Sequence, residues 1–246
     1  MIGALEIRIF ATHEDVALAV AARVKDAFLT KPDLVVGLPA GQTPVPAYAE
    51  LRRMQQSGLV DFSRATCFLV DEFVGLERSH PGSFYQFVDE HLFSGINVDR
   101  GRVHALNGAA RDLAEECDRY EAAIADAGGI DLQLLGLGRN GHIGFNEPSD
   151  GLAARTHQVT LLADTRRDNA PRFGNSETQV PREAISMGIG TILSARAIVM
   201  IATGEAKANP VERMVRGPVT TRLPASFLQL HSNVALYLDR AAAMRL

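Results

Sequence analysis

The sequence predicts one α/β domain on a mostly parallel, doubly wound, Rossmann-like sheet. Short and nearly continuous apolar runs recur at 33–38 (DLVVGL), 66–70 (TCFLV), 130–136 (IDLQLLG) and 196–202 (RAIVMIA). Strands buried on both faces by crossover helices have this character. Helical periodicity fills the stretches between them. No Pro/Ser/Gly tract and no internal repeat divides the 246 residues, so a single domain over 1–246 is expected.

The elements follow in order. Residues 5–10 alternate apolar and polar side chains, as a strand does, and 13–28 place Val16, Val20, Val24 and Phe28 on one helical stripe. The run at 33–38 is a strand and 44–54 a helix, with Thr43 as its expected N-cap and Pro44 at its first position. A strand at 66–70, helices at 83–92 and 113–127, and a strand at 130–136 come next. The pattern closes with a strand at 196–202, a helix at 205–215 and a strand at 233–238.

Composition narrows the function. Hydrophobic residues make up 46% and charged residues 22%, the balance of a globular chain with a full core. A net charge of −4 gives no basic field for nucleic acid or for a membrane surface, so cations for an anionic ligand must be local. Cys67 and Cys117 have no metal-ligand spacing with each other or with the histidines, and they are expected as reduced thiols. Residues 1–8 are too charged for a secretory core, and no apolar run reaches transmembrane length; a cytoplasmic setting is expected.

In a doubly wound sheet, ligands bind beyond the carboxyl ends of the strands. After 33–38 comes Pro39-Ala40-Gly41-Gln42-Thr43-Pro44, a glycine-containing turn into a helix, which suits an anion. After 66–70 comes the pair Asp71-Glu72, whose side chains point opposite ways, one toward a cleft and one bracing the loop. After 130–136 comes GRNGHIGFNEP, residues 138–148, which sets His142 and Glu147 among glycines as acid–base groups. Residues 136–141 match G-x-G-x-x-G, but Gly144, Pro148 and Gly151 follow too closely for a long helix to start, so a dinucleotide site is not expected. After 196–202 comes Thr203-Gly204-Glu205-Ala206-Lys207. A lysine at the positive end of a helix suggests a bound anion. Residues 165–172 (TRRDNAPR) add cations in a stretch that reads as too polar for a core, and Arg172 could grip a phosphate with two N–H groups.

Together these residues resemble the glucosamine-6-phosphate deaminase family, within the wider group that includes 6-phosphogluconolactonases. The resemblance spans residues 37–231, and its most specific piece is Gly141-His142-Ile143-Gly144-Phe145-Asn146-Glu147-Pro148. It implies an enzyme of amino-sugar and N-acetylglucosamine catabolism, a deaminase and isomerase also classed as a hydrolase. Its reaction gives fructose 6-phosphate and ammonia without an organic cofactor or metal. Asp71 would move the proton between C2 and C1, and His142 would open the sugar ring. Glu147 would hold His142, with Asn140 as a further catalytic candidate where some members carry Asp. Ala40, Gly41, Gln42, Thr43, Glu72, Gly136, Arg172 and Lys207 would bind substrate and its phosphate, under a mobile lid at about 161–182. Galactosamine 6-phosphate is the alternative substrate; a 6-phosphogluconolactonase and a sugar-phosphate sensor fit the motifs less well. In hexameric members the segment after the Phe-Asn-Glu-Pro motif carries two cations for an allosteric effector. Here the matching positions hold His157 and Val159, and a longer C-terminal extension is not seen, so a monomer or low-order homo-oligomer without allostery is expected.

Overall fold

The computed structural model describes residues 5–246. Among the described residues, ten strands and seven α-helices follow in order: β1 (Glu6–Phe10), α1 (His13–Thr30), β2 (Val35–Leu38), α2 (Val45–Gln56), β3 (Thr66–Leu69), β4 (Asp71–Phe73), α3 (Phe84–His91), β5 (Val103–His104), α4 (Leu113–Asp126), β6 (Leu132–Gly136), β7 (His157–Thr160), α5 (Ala163–Asn169), β8 (Glu183–Ser186), α6 (Ile189–Leu193), β9 (Ala197–Ala202), α7 (Ala208–Arg216) and β10 (Val234–Asp239). Seven strands form a parallel sheet in the order β1-β10-β9-β6-β2-β3-β5. A second sheet, β4-β8-β7, is antiparallel.

The strand runs are apolar throughout because both faces of the main sheet are covered. Val36, Leu38, Leu132, Leu134, Val199 and Ile201 pack under α1, α2 and α3. The alternating neighbours Val35, Leu135, Ile198 and Met200 pack under α4, α6 and α7. A third, smaller cluster joins Phe73, Phe84 and Phe145 to Leu161, Ala170, Phe173 and Val180.

Two buried tyrosines fix the strand ends that matter for the site. Tyr48 of α2 donates its hydroxyl to the Pro39 carbonyl at 2.6 Å, just past β2. Tyr120 of α4 donates to the Leu69 carbonyl at the end of β3. Each ties a helix to the backbone that carries the next loop.

Several expectations need correction. Thr43 is not a helix cap: Pro44 occupies that position with no side-chain cap bond, and α2 begins at Val45. The helix expected at 205–215 begins as a 3₁₀ turn, Glu205–Lys207, and becomes α-helical at Ala208. Residues 165–172 are not excluded from the interior, because Thr165 and Ala170 are buried. The strand at 6–10 lies at the sheet edge and leaves Ile7 and Ile9 exposed. Among the described residues no helix is long and apolar enough to cross a membrane.

Candidate active site

β2 starts chain segments that wind toward β3 and β5, while β6 leads toward β9 and β10. Adjacent β2 and β6 therefore bracket the point where the winding reverses, and their following loops part to leave a crevice. A cleft of about 390 Å³ lies there. Ala40, Gly41, Gln42 and Thr43 line it from the β2 side, Gly136 and His142 from the β6 side, with Asp71 and Lys207 beside them.

Asp71 reaches the cleft because the chain leaves the main sheet after Leu69. At Asp71 it enters β4, where Asp71 pairs with Ser186 of β8. Among the described residues no protein donor bonds its buried carboxylate. Burial pushes the Asp71 carboxyl well above the usual carboxylate range, the neighbouring Glu72 pushes the same way, and Arg172 opposes them. Glu72 points elsewhere. Its carboxylate accepts the N–H groups of Phe73 (2.9 Å), Phe84 (2.9 Å) and Tyr85 (3.0 Å) and the Ser83 hydroxyl (3.1 Å). It anchors the start of α3 and does not line the cleft, contrary to the substrate contact expected of it.

The loop after β6 folds tightly around His142. Gly138 donates its N–H to the His142 carbonyl at 2.9 Å, and Gly141 donates to Gly138 at 3.0 Å. The imidazole lies against Gly138 so closely that a Cβ there would sit 2.4 Å from ring atoms. Asn140 braces the loop in two directions. It accepts the His142 N–H at 3.0 Å and donates to Glu147 Oε2 at 2.9 Å. The other Glu147 oxygen accepts the Leu162 N–H at 3.1 Å, which pins the start of the 161–182 segment. His142 Nδ1 stands 3.7 Å from Glu147 Oε2 and 3.5 Å from the Thr165 hydroxyl. Burial lowers the His142 pKa and outweighs the opposing pull of Glu147, so the ring is neutral near neutral pH. Asn140 and Glu147 therefore sit behind His142. Glu147 does not line the main cleft, and Asn140 opens onto a side cavity of about 320 Å³ beyond His142.

The same cleft holds unpaired donors. Gly41 turns at φ 124°, a conformation that disfavours any side chain, and among the described residues the N–H groups of Gly41, Gln42 and Thr43 have no acceptor. Lys207 lines the same cleft, and among the described residues its ammonium has neither a hydrogen bond nor an ion pair. Burial lowers its pKa. Arg172 is not in the cleft wall. Its guanidinium lies 4.1 Å from the Phe87 ring centroid and 4.9 Å from that of Phe84, and donates to the Ser83 carbonyl at 3.2 Å. Its Nε and Nη1 are buried without partners, and burial pushes its pKa down to about 10.

The family model of glucosamine-6-phosphate isomerases/6-phosphogluconolactonase matches residues 10–237. The chain belongs to this family. It is 49% identical to the glucosamine-6-phosphate deaminase of Rhodopirellula baltica over 242 residues, covering 98% of this chain and 96% of that protein. It is 43% identical to the glucosamine-6-phosphate deaminase of a Thermoanaerobacter species, covering 97% and 94%. A monomeric glucosamine-6-phosphate deaminase superposes with a TM-score of 0.95 at 39% identity, covering 98% of this chain and all of that one. The 6-phosphogluconolactonase of Thermotoga maritima, at 19% identity and a TM-score of 0.73, shares the fold. The family relatives are named deaminases, and that corrects the hydrolase classification: the type of reaction is isomerase or lyase, with proton transfer and loss of ammonia.

The G-x-G-x-x-G match does not open a helix; after Gly141 the next α-helix starts at Ala163. Two charged cleft residues were absent from the sequence-derived set. Arg139 lay inside the quoted loop, and Asp168 lay inside a stretch read only for its cations.

Proposed function

We propose that the chain converts glucosamine 6-phosphate to fructose 6-phosphate and ammonia. The observation that carries this reading is one cleft lined by a carboxylate, a neutral imidazole and, among the described residues, an unpaired ammonium and a loop with free amides. Aldose-to-ketose conversion needs both: a base at the enolisation centre and a second proton carrier at the ring oxygen. Asp71, ionised, takes the C2 proton and returns it to C1. Its raised proton affinity makes it a stronger base than an exposed aspartate. His142, neutral, moves the proton between ring oxygen and anomeric hydroxyl; the C2 imine left after reprotonation at C1 then takes up a water molecule, and ammonia leaves as the C2 ketone forms. Glu147 and Asn140 hold the ring in place through the loop bonds described above.

Lys207 and the Gly41–Thr43 amides take the phosphate, whose binding energy orients the distant reacting carbons. The reading requires no organic cofactor. Residues 161–182, within a single domain of 1–246, act as a lid that brings Arg172 to the phosphate. Two N–H groups of Arg172 without partners support this role. A monomer or low-order homo-oligomer in the cytoplasm is the proposed state; a monomeric relative with a TM-score of 0.95 supports the first part. Ammonia release from glucosamine 6-phosphate, with galactosamine 6-phosphate and the N-acetylated sugars alongside, tests the reading. Release from neither free amino-sugar phosphate would refute it.

A further inference from the structure

The wall between the main cleft and the side cavity holds a charged pair that the proposed reaction does not use. Arg139 and Asp168 line both spaces. Arg139 Nε stands 3.6 Å from Asp168 Oδ2. Arg139 comes from the loop after β6, a fixed part of the site, and Asp168 from the last turn of α5, in the segment 161–182. Lys207 shares the main cleft with both. Asp168 raises its proton affinity and Arg139 lowers it, as charges close to the ammonium must. An aspartate near a helix C-terminus is opposed by the helix's own carbonyls, so α5 gains nothing locally from Asp168.

Counting charges gives the pair a purpose. Arg139 and Lys207 supply two positive charges, and a phosphate monoester carries between one and two negative charges at neutral pH. They match each other. With Asp168 ionised beside the cations, an incoming phosphate meets a competitor already in place.

We infer that Arg139 is a second phosphate-holding cation of the cleft wall, beside Lys207, and that Asp168 occupies it until the substrate phosphate displaces the carboxylate. This deepens the sugar-phosphate reading and rests on it. The consequence is selectivity. A ligand with a doubly charged group outbids one carboxylate for two cations, whereas a neutral sugar does not. Because Asp168 rides on α5 and Arg139 does not, the exchange also releases a contact that holds α5 against the β6 loop.

The test uses inorganic phosphate as the probe, measured by calorimetry at fixed ionic strength in wild type, Asp168→Asn, Arg139→Gln and the double variant. Asp168→Asn should bind phosphate roughly tenfold tighter, and Arg139→Gln roughly tenfold weaker, as expected for one charge partly screened by water. In the double variant most of the Asp168→Asn gain should vanish, because its partner is gone. Unchanged or weaker phosphate binding in Asp168→Asn overturns the inference, as does full additivity in the double variant. So does a raised KM for glucosamine 6-phosphate with phosphate affinity unchanged, which would place Asp168 on the substrate amine instead. Wild-type protein that binds phosphate but releases no ammonia from glucosamine 6-phosphate would refute the proposed reaction, and the phosphate measurements would still decide the inference.

Discussion

Replacing Asp71 with Asn separates what this carboxylate does for chemistry from what it costs the fold. The amide keeps the shape and the burial but cannot accept the C2 proton, so kcat should fall by at least roughly 10² with KM nearly unchanged. The same change should stabilise the protein. Among the described residues the Asp71 carboxylate is buried without a donor, beside Glu72 and with only Arg172 to offset it. Ionising such a group costs several kcal/mol even after relaxation, and leaving the new amide without a partner takes back roughly 1–3 kcal/mol, so the expected net gain is about 1–2 kcal/mol. For a chain of this size that is a Tm rise of roughly 2–8 °C. The sign follows from linkage. Folded Asp71 holds its proton more tightly than unfolded Asp71, so the wild type loses stability as pH rises from about 4, the unfolded value, through the raised folded one. The Tm advantage of Asp71→Asn should therefore be largest near pH 8 and shrink toward pH 4. The acid limb of the wild-type kcat/KM profile should lie above the ordinary carboxylate range for the same reason. Turnover within tenfold of wild type, or no Tm advantage at pH 8, refutes the assignment.

Lys207→Ala should raise KM for the phosphorylated sugar by about 10- to 100-fold, the worth of a charge-assisted contact, with a smaller fall in kcat; Arg172→Ala should act in the same direction, and steady-state kinetics on both variants checks this. Gly138→Ala should displace the His142 ring, since its new Cβ would stand 2.4 Å from ring atoms; a kcat loss of roughly 10² with a cost of about 1–3 kcal/mol is expected from turnover and thermal melts. Velocity curves should be hyperbolic and insensitive to N-acetylglucosamine 6-phosphate, since His157 and Val159 provide no permanent cation.

The parallel strands were legible because each is an apolar run between helical stripes, and the position of the cleft followed from the sheet class alone. The short antiparallel sheet was not legible. β4 is three residues, Asp71-Glu72-Phe73, and reads as a turn. β7 and β8 alternate only weakly, and their pairing joins residues far apart in sequence. Asp71 and His142 could be singled out because each is a polar residue soon after a buried strand. Which way Glu72 turns could not, since it depends on the N–H groups of Phe84 and Tyr85 at the start of α3. The resting place of Arg172 was not legible for a related reason. Its charge and its position in 161–182 point to phosphate, but its guanidinium lies over the Phe84 and Phe87 rings, which the local sequence does not reveal.

Three charged groups in or beside the cleft lack partners among the described residues: the buried Asp71 carboxylate has no donor, the Lys207 ammonium no acceptor, and the Arg172 guanidinium leaves its Nε and Nη1 nitrogens unsatisfied. Each costs folding free energy while the cleft holds no ligand. The signs of the charges make the cost informative. Lys207 and Arg172 would be relieved by an anion, and Asp71 by a proton. On the proposed reaction a sugar phosphate brings both: the phosphate for the cations and, once ring opening frees the C1 carbonyl that acidifies it, the C2 proton for Asp71. The fold thus stays short of its own best stability at the places where the substrate is to complete it.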